Sequence, residues 1–203
     1  TNPAVSMPDA GFVREALARC ETLVVSDVMA DTDTARLAHI RLPALAWGEK
    51  DGTVTNSERR ISRQRALFSA PGEARADWNI LCDFAHRMGW GKAFSFASPA
   101  AVFREYAAMT ALAPTHGKKF DLAHLSQLDD REYQTLEPVL WGGSYPLAAG
   151  SSFVDGRFRM VAVKAPEQPA ANNDYPLCLN TGRYRDQWHT MTRTGLSATL
   201  SQH

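Results

Sequence analysis

Two stretches of this chain gather the residue types that hold anions. Arg59, Arg60, Arg63 and Arg65 share one short run, and Arg183, Arg185 and Arg193 recur later beside Trp188 and His189. Each guanidinium offers a planar fork of N–H donors that matches phosphate oxygens two at a time. From composition, the first run reads equally as a phosphate clamp or as a solvated face paired with Glu49, Glu58 and Glu73. The second, RYRDQWHTMTRTGLSATLSQH, has neither a helical nor a strand period. A loop so polar and so aromatic is expected to be organised by a ligand. Gly52-Thr53 and Thr181-Gly182 would add backbone amides as neutral donors.

Catalytic patterns are missing. Cys20, Cys82 and Cys178 are dispersed without a CxxC pair, so neither a disulfide framework nor a self-contained zinc or iron–sulfur site is expected. Cys20 reads as a small buried hydrophobe. There is no GxSxG, and His86, His116 and His124 make no HExxH-like spacing. No GxGxxG follows an early strand, so the usual nicotinamide signal is absent. Asp27 closes an apolar strand, at the carboxyl end where open α/β sheets bind ligands. Its alternative role is a loop aspartate that caps the next turn. The residues support a cofactor-binding α/β module more than a complete enzyme.

The elements that would position these groups follow from periodicity and caps. Ser6 is expected to cap a first helix, with Asp9 completing a capping box and Val13, Ala16, Leu17 and Cys20 on one face. TLVVSD (22–27) reads as a parallel strand covered on both faces, because its apolar residues are consecutive. Thr32 caps a short helix and 39–43 forms a second strand. Residues 47–76 are aperiodic, with turns at Asp51-Gly52 and Asn56-Ser57. Asp77 is expected to cap a helix lined by Trp78, Leu81, Ala85 and Met88 and ended by Gly89. Ser98-Pro99 opens another, with Val102, Phe103, Tyr106 and Ala107 inward, and Asp129 with Glu132 makes a capping box ahead of Pro138. FRMVAV (158–163) and LCLNTGR (177–183) read as strands flanking a proline-rich connector.

Lys plus Arg and Asp plus Glu both number 22, which argues against a general polyanion binder. No aromatics interleave with the first arginine run, so nucleic acid is not an expected partner. No apolar run is long enough for a transmembrane segment, and TNPAVSMPDAG lacks the character of a signal peptide. The missing initiator Met and the SATLSQH ending suggest a piece of a longer protein.

LPALAWGEKDGTVTNSERRISRQR (42–65), PGEARADWNIL (71–81) and LNTGRYRDQWHTMTRTG (179–195) resemble the prokaryotic molybdopterin oxidoreductases. The third stretch resembles their assimilatory nitrate reductase branch in particular, and the likeness covers nearly the whole chain. The resemblance implies a fragment of an α/β fold: a partial Rossmann-like parallel sheet with a helical excursion, then the beginning of a β-barrel domain. Residues 1–164 would belong to the domain binding a pterin guanine dinucleotide, 165–175 to a linker, and 176–203 to the start of the C-terminal barrel domain. The implied cofactor is a bis-molybdopterin guanine dinucleotide with molybdenum. A 4Fe-4S cluster and a molybdenum-ligating residue would lie in a part not found here, and none of the three cysteines matches either.

By position, Asn2 and Pro3 match a loop near a guanosine diphosphate, and Asp27 matches a strand-end acid facing guanine or ribose donors. Gly52, Thr53, Asn56, Glu58 and Arg60 match GTxxNxExR, which wraps the approach to the cofactor. Thr181, Gly182, Arg183, Trp188, His189, Thr190, Thr192 and Arg193 match the segment that touches pterins and pyrophosphates. No residue is assigned to catalysis or to metal. The resemblance implies a cytoplasmic enzyme reducing nitrate to nitrite, completed by the rest of the parent chain and an electron-donor protein or domain. The isolated fragment would be inactive. The alternatives are the same fragment of a formate dehydrogenase-like enzyme, or a non-catalytic binding module of the same fold.

Overall fold

The computed structural model describes residues 2–116, 120–141, 160–165, 167 and 171–200. The architecture is mixed α/β, arranged as two compact units: 1–25 with 29–41 and 160–203, and 26–28 with 42–159.

In the first unit, α1 (Pro3–Ser6) and α2 (Ala10–Ala18) precede β1 (Val24–Asp27), which continues into the second unit. Ser6 is not the cap expected of it. It ends α1, and Asp9 caps α2 by accepting from the Phe12 amide, in a left-handed conformation at φ 52°. Helix α3 (Asp33–Arg36) starts as expected from Thr32, whose hydroxyl accepts from the Ala35 amide at 3.0 Å. On α2, Val13 and Leu17 are half-buried while Ala16 is exposed, as is Cys20 just past the helix. Cys20 is thus not a core residue, because the helix ends at Ala18 before its face reaches that position.

Strand β2 (Ile40–Pro43) follows α3. The Leu23 carbonyl accepts from the Ile40 amide and the Asp27 carbonyl from the Ala44 amide, so β1 and β2 run parallel. Arg75 extends this pairing as a parallel bridge to Ala44. The expectation of a strand covered on both faces fails: Val24 and Ile40 are each 48% exposed. Two strands supply one ladder, and nothing in this pair covers its outer face.

The second unit contains an element that the aperiodic reading of 47–76 missed. Strand β3 (Gly52–Thr55) and β4 (Arg60–Gln64) form an antiparallel hairpin, and β5 (Val139–Leu140) pairs antiparallel with β4. The hairpin turn is closed by Asn56, whose side-chain oxygen accepts from the Arg60 amide at 2.9 Å. Arg59 takes φ 70° there, the left-handed residue that often ends such a turn.

Helix α4 (Asp77–Arg87) begins at the residue expected to cap it. Ala76 occupies the cap position in extended conformation, so Asp77 lies in the first turn, where a carboxylate faces the positive end of the helix dipole. Gly89 follows the helix at φ 87°, as expected of a terminating glycine. The inward face is Trp78, Cys82 and Ala85 rather than Trp78, Leu81, Ala85 and Met88; Leu81 and Met88 are exposed.

Helix α5 (Pro99–Thr110) is capped by Ser98, which accepts from the Ala101 amide at 3.2 Å. It buries Ala100, Phe103 and Ala107 against Ile61, Leu122, Leu125 and Tyr133. Helix α6 (Asp130–Gln134) carries the reciprocal capping box, with Asp129 accepting from the Glu132 amide at 2.7 Å and Glu132 from the Asp129 amide at 2.8 Å.

Of FRMVAV, 158–159 lie outside the described residues and 160–163 form no strand; 177–183 form none either. A strand needs a neighbour to take its amides and carbonyls, and the described residues of 176–200 offer none. The antiparallel sheet that does form, β3-β4-β5, is open and belongs to the second unit.

Candidate functional site

The carboxyl end of β1 is where chemistry-bearing side chains converge. Asp27 closes the strand, half-buried, and the adjacent Ser26 hydroxyl donates to Asp77 Oδ1 at 3.3 Å. Lys50 Nζ donates to Asp77 Oδ2 at 2.7 Å. Asp77 reaches this point because α4 starts beside the bridge that joins Arg75 to Ala44. A carboxylate, an ammonium and a hydroxyl therefore meet at the carboxyl edge of a parallel pair of strands, where Asp27 is the last strand residue. Lys50 and Asp77 were missed as site residues: Asp77 reads as a cap in sequence, and Lys50 lies in an aperiodic stretch.

Asn2 and Pro3 open α1. The Asn2 side-chain oxygen accepts from the Thr34 amide at 3.1 Å and from its hydroxyl at 2.6 Å. The Thr34 hydroxyl oxygen in turn accepts from the Ala4 amide at 3.1 Å, so Asn2 fastens α1 to α3. Beside them, Arg36 grips Asp31 with two bonds, Nε to Oδ1 at 2.6 Å and Nη2 to Oδ2 at 2.9 Å. The hydrogen bond from Arg36, with its charge, holds the Asp31 carboxyl below its ordinary range.

Gly52, Thr53, Asn56, Glu58 and Arg60 all fall on the hairpin. Gly52 and Thr53 start β3 and border a groove of about 400 Å³ that also meets Asp51, Trp78, Phe103 and Tyr133. Glu58 and Arg60 pair at the turn, Nε to Oε2 at 3.3 Å, and that hydrogen bond lowers the Glu58 carboxyl. The arginines of 59–65 do not converge on one point. Arg59 lies over the Trp141 ring at 4.9 Å, Arg60 pairs with Glu58, and Arg65 donates to the Gln134 carbonyl at 2.7 Å.

Arg63 turns inward. Its side chain is 1% exposed, pairs with Asp51 at 2.7 Å, donates to the Gly52 carbonyl and to Gln134 Oε1, and lies 4.0 Å over the Tyr133 ring. Burial raises the Tyr133 phenol above its ordinary 10.0, against the opposing pull of Arg63.

In 181–193, Thr181 and Gly182 are exposed, and Arg183 and Trp188 line an open concavity of about 590 Å³ with Tyr184 and Arg185. Trp188 and His189 stack at 4.2 Å, and the hydroxyls of Thr190 and Thr192 lie 2.7 Å apart. His189, Thr190 and Met191 hold φ of 44°, 59° and 60°, a run of left-handed residues without a glycine. Arg193 is exposed. Among the described residues no three His, Cys, Asp or Glu side chains gather as a metal site, and no helix is long and apolar enough to cross a membrane.

Residues 1–87 match the family model for molybdopterin oxidoreductases. A nitrate reductase of Klebsiella oxytoca is 54% identical over 100% of this chain and 24% of its own length. An F420-dependent formate dehydrogenase subunit alpha of Methanocaldococcus jannaschii is 36% identical over 95% of this chain and 28% of its own. The chain thus spans about a quarter of the length of the curated relatives it matches. Among solved structures, acetylene hydratase from Pelobacter acetylenicus aligns over 70% of this chain and 17% of that one, with a TM-score of 0.51 at 17% identity. That likeness concerns the fold alone.

Proposed function

We propose that this chain, which belongs to the molybdopterin oxidoreductase family, is a cofactor-cradling part of a molybdenum-dependent nitrate reductase. The observation that carries the reading is the cluster of Ser26, Asp77 and Lys50 at the carboxyl end of β1, the strand that Asp27 closes. Open parallel sheets bind ligands at that edge. The donor chemistry fits a guanine dinucleotide: a carboxylate accepts two parallel N–H bonds from a guanine edge, and an ammonium meets a phosphate. Asp27 and Asp77 would orient the base, and Lys50 would turn from Asp77 toward phosphate oxygen. Arg183 and Arg193 supply forked donors for pyrophosphate, and Trp188 and His189 an aromatic pair.

When bound, the molybdenum cofactor supplies oxygen-atom removal from nitrate to give nitrite, with electrons relayed by a 4Fe-4S cluster held elsewhere in the parent chain. In this reading the named residues bind and orient the cofactor. The proposal includes the division at 165–175, with 176–203 opening a barrel domain, a cytoplasmic parent, an electron-donor partner, and an inactive isolated fragment. The 54% identity to a nitrate reductase, against 36% to a formate dehydrogenase subunit, favours nitrate as substrate.

The test is D77N and D27N in the full-length parent, reading guanine dinucleotide and molybdenum per subunit. Loss of both, with the iron–sulfur spectrum retained, supports the reading. Wild-type content in both variants overturns the site, and formate turnover without nitrate turnover overturns the substrate.

A further inference from the structure

Helix α4 is apolar on two faces. Trp78, Cys82 and Ala85 turn inward, while Leu81, Phe84 and Met88, spaced i, i+3 and i+7, form a second stripe. Leu81 is 61% exposed, Phe84 62% and Met88 56%, and Trp90, past the end of the helix, is 62% exposed. Single exposed apolar residues are ordinary, whereas three large ones at helical spacing on one face mark a surface meant to be covered.

The end of α4 is basic. The two carboxylates of α4 are engaged, Asp77 by Lys50 and Asp83 by Arg75 at 3.0 Å. His86 and Arg87 occupy the last turn of the helix, and Lys92 follows it in the sequence. The complementary surface is therefore apolar with carboxylates at its rim.

We infer that the Leu81–Phe84–Met88 face, with Trp90 past its end, docks the remainder of the parent polypeptide, on an apolar, acid-rimmed surface. The inference rests on the reading above, that this chain is part of a larger enzyme. The length of the relatives argues for this occupant: they align with 95–100% of this chain yet carry it as only 24–28% of their own length. Roughly three quarters of such a polypeptide is then present to cover the stripe in the same molecule, without the entropy loss of a second-order association.

The test is hydroxyl-radical footprinting of the full-length parent, native against urea-unfolded, which reads Met88, Trp90, Phe84 and Leu81 without any substitution. The expected result is oxidation slowed by at least about tenfold at Met88 and Trp90 in the native monomer, the protection of buried side chains. F84K should restore their reactivity, and F84L should leave it low. Reactivity near the unfolded rate in the native parent overturns the inference. Protection lost on dilution to monomer overturns it in favour of a second copy, and protection only with anionic vesicles does so in favour of a lipid surface. A protected stripe in a parent without molybdenum cofactor leaves this inference standing while the proposed function falls. A reactive stripe in a fully loaded parent does the reverse.

Discussion

Arg63 occupies a strand position where alternation turns the side chain into the core, and its neighbours there are Asp51, Gln134 and the Tyr133 ring. Removing one member of such a pair leaves the other short of a partner, so truncation matters more than the pair's net worth. R63M should lower stability by about 3 kcal/mol, the low end for a broken buried pair, because Asp51 keeps access to water. A urea-melt midpoint measures it. The Tyr133 hydroxyl is buried and finds no partner among the described residues. Y133F should therefore be neutral or stabilising by about 1 kcal/mol, since an unpaired buried hydroxyl carries a desolvation penalty. The sign at alkaline pH follows from burial, which raises the phenol above 10.0. Its contribution is complete below the unfolded value and is lost as pH rises toward the folded one, because the unfolded chain ionises first. Melts between about pH 9 and 11 should fall less steeply for Y133F than for the parent sequence. An unchanged slope would remove Tyr133 as the source.

At the scale of elements, caps decide where helices begin, and their worth differs by position. Ser98 accepts from the Ala101 amide, so S98A should lower stability by about 1 kcal/mol. Ser6 sits at the end of α1 and its hydroxyl donates to the Asn2 carbonyl, exposed to solvent. S6A should therefore leave the urea midpoint unchanged within error, a contrast that the sequence pattern alone, which starts a helix at each serine, does not draw. The hairpin shows why its residues escape a periodicity search. β4 turns Ile61 and Arg63 inward, so one of its two core positions is an arginine and the apolar alternation is invisible.

For the whole molecule, the proposal that Arg183 and Arg193 hold a pyrophosphate is one that only the full-length parent can test. Lysine there keeps the charge and loses the planar fork. R183K and R193K should lower pterin and molybdenum content per subunit, and nitrate turnover with it, while the iron–sulfur cluster still assembles. Arg104 is a poor control, since it donates to Asp130 at 2.8 Å and to the Leu128 carbonyl at 3.1 Å and ties α5 to α6. Arg19, whose contact with Glu15 is 3.9 Å on an exposed surface, is the better one. Full cofactor content in both lysine variants would return these arginines to a solvated face.

Local signals in the sequence determined the helix starts at Thr32, Ser98 and Asp129, the parallel β1–β2 order and the family, because caps, apolar runs and motif spacing act over a few residues. They did not determine which way α4 faces or where Asp77 and Arg63 go. Leu81 and Met88 fit a helical stripe as well as Cys82 does, and only the packed neighbours choose between the two faces. Asp77 meets Lys50 and Ser26 across 27 and 51 positions of chain, and Arg63 meets Gln134 across 71. Such partners are brought together by the pairing of β1 with β2 and of β4 with β5. Long-range contact is a property of the tertiary fold, and no spacing rule within one segment encodes it.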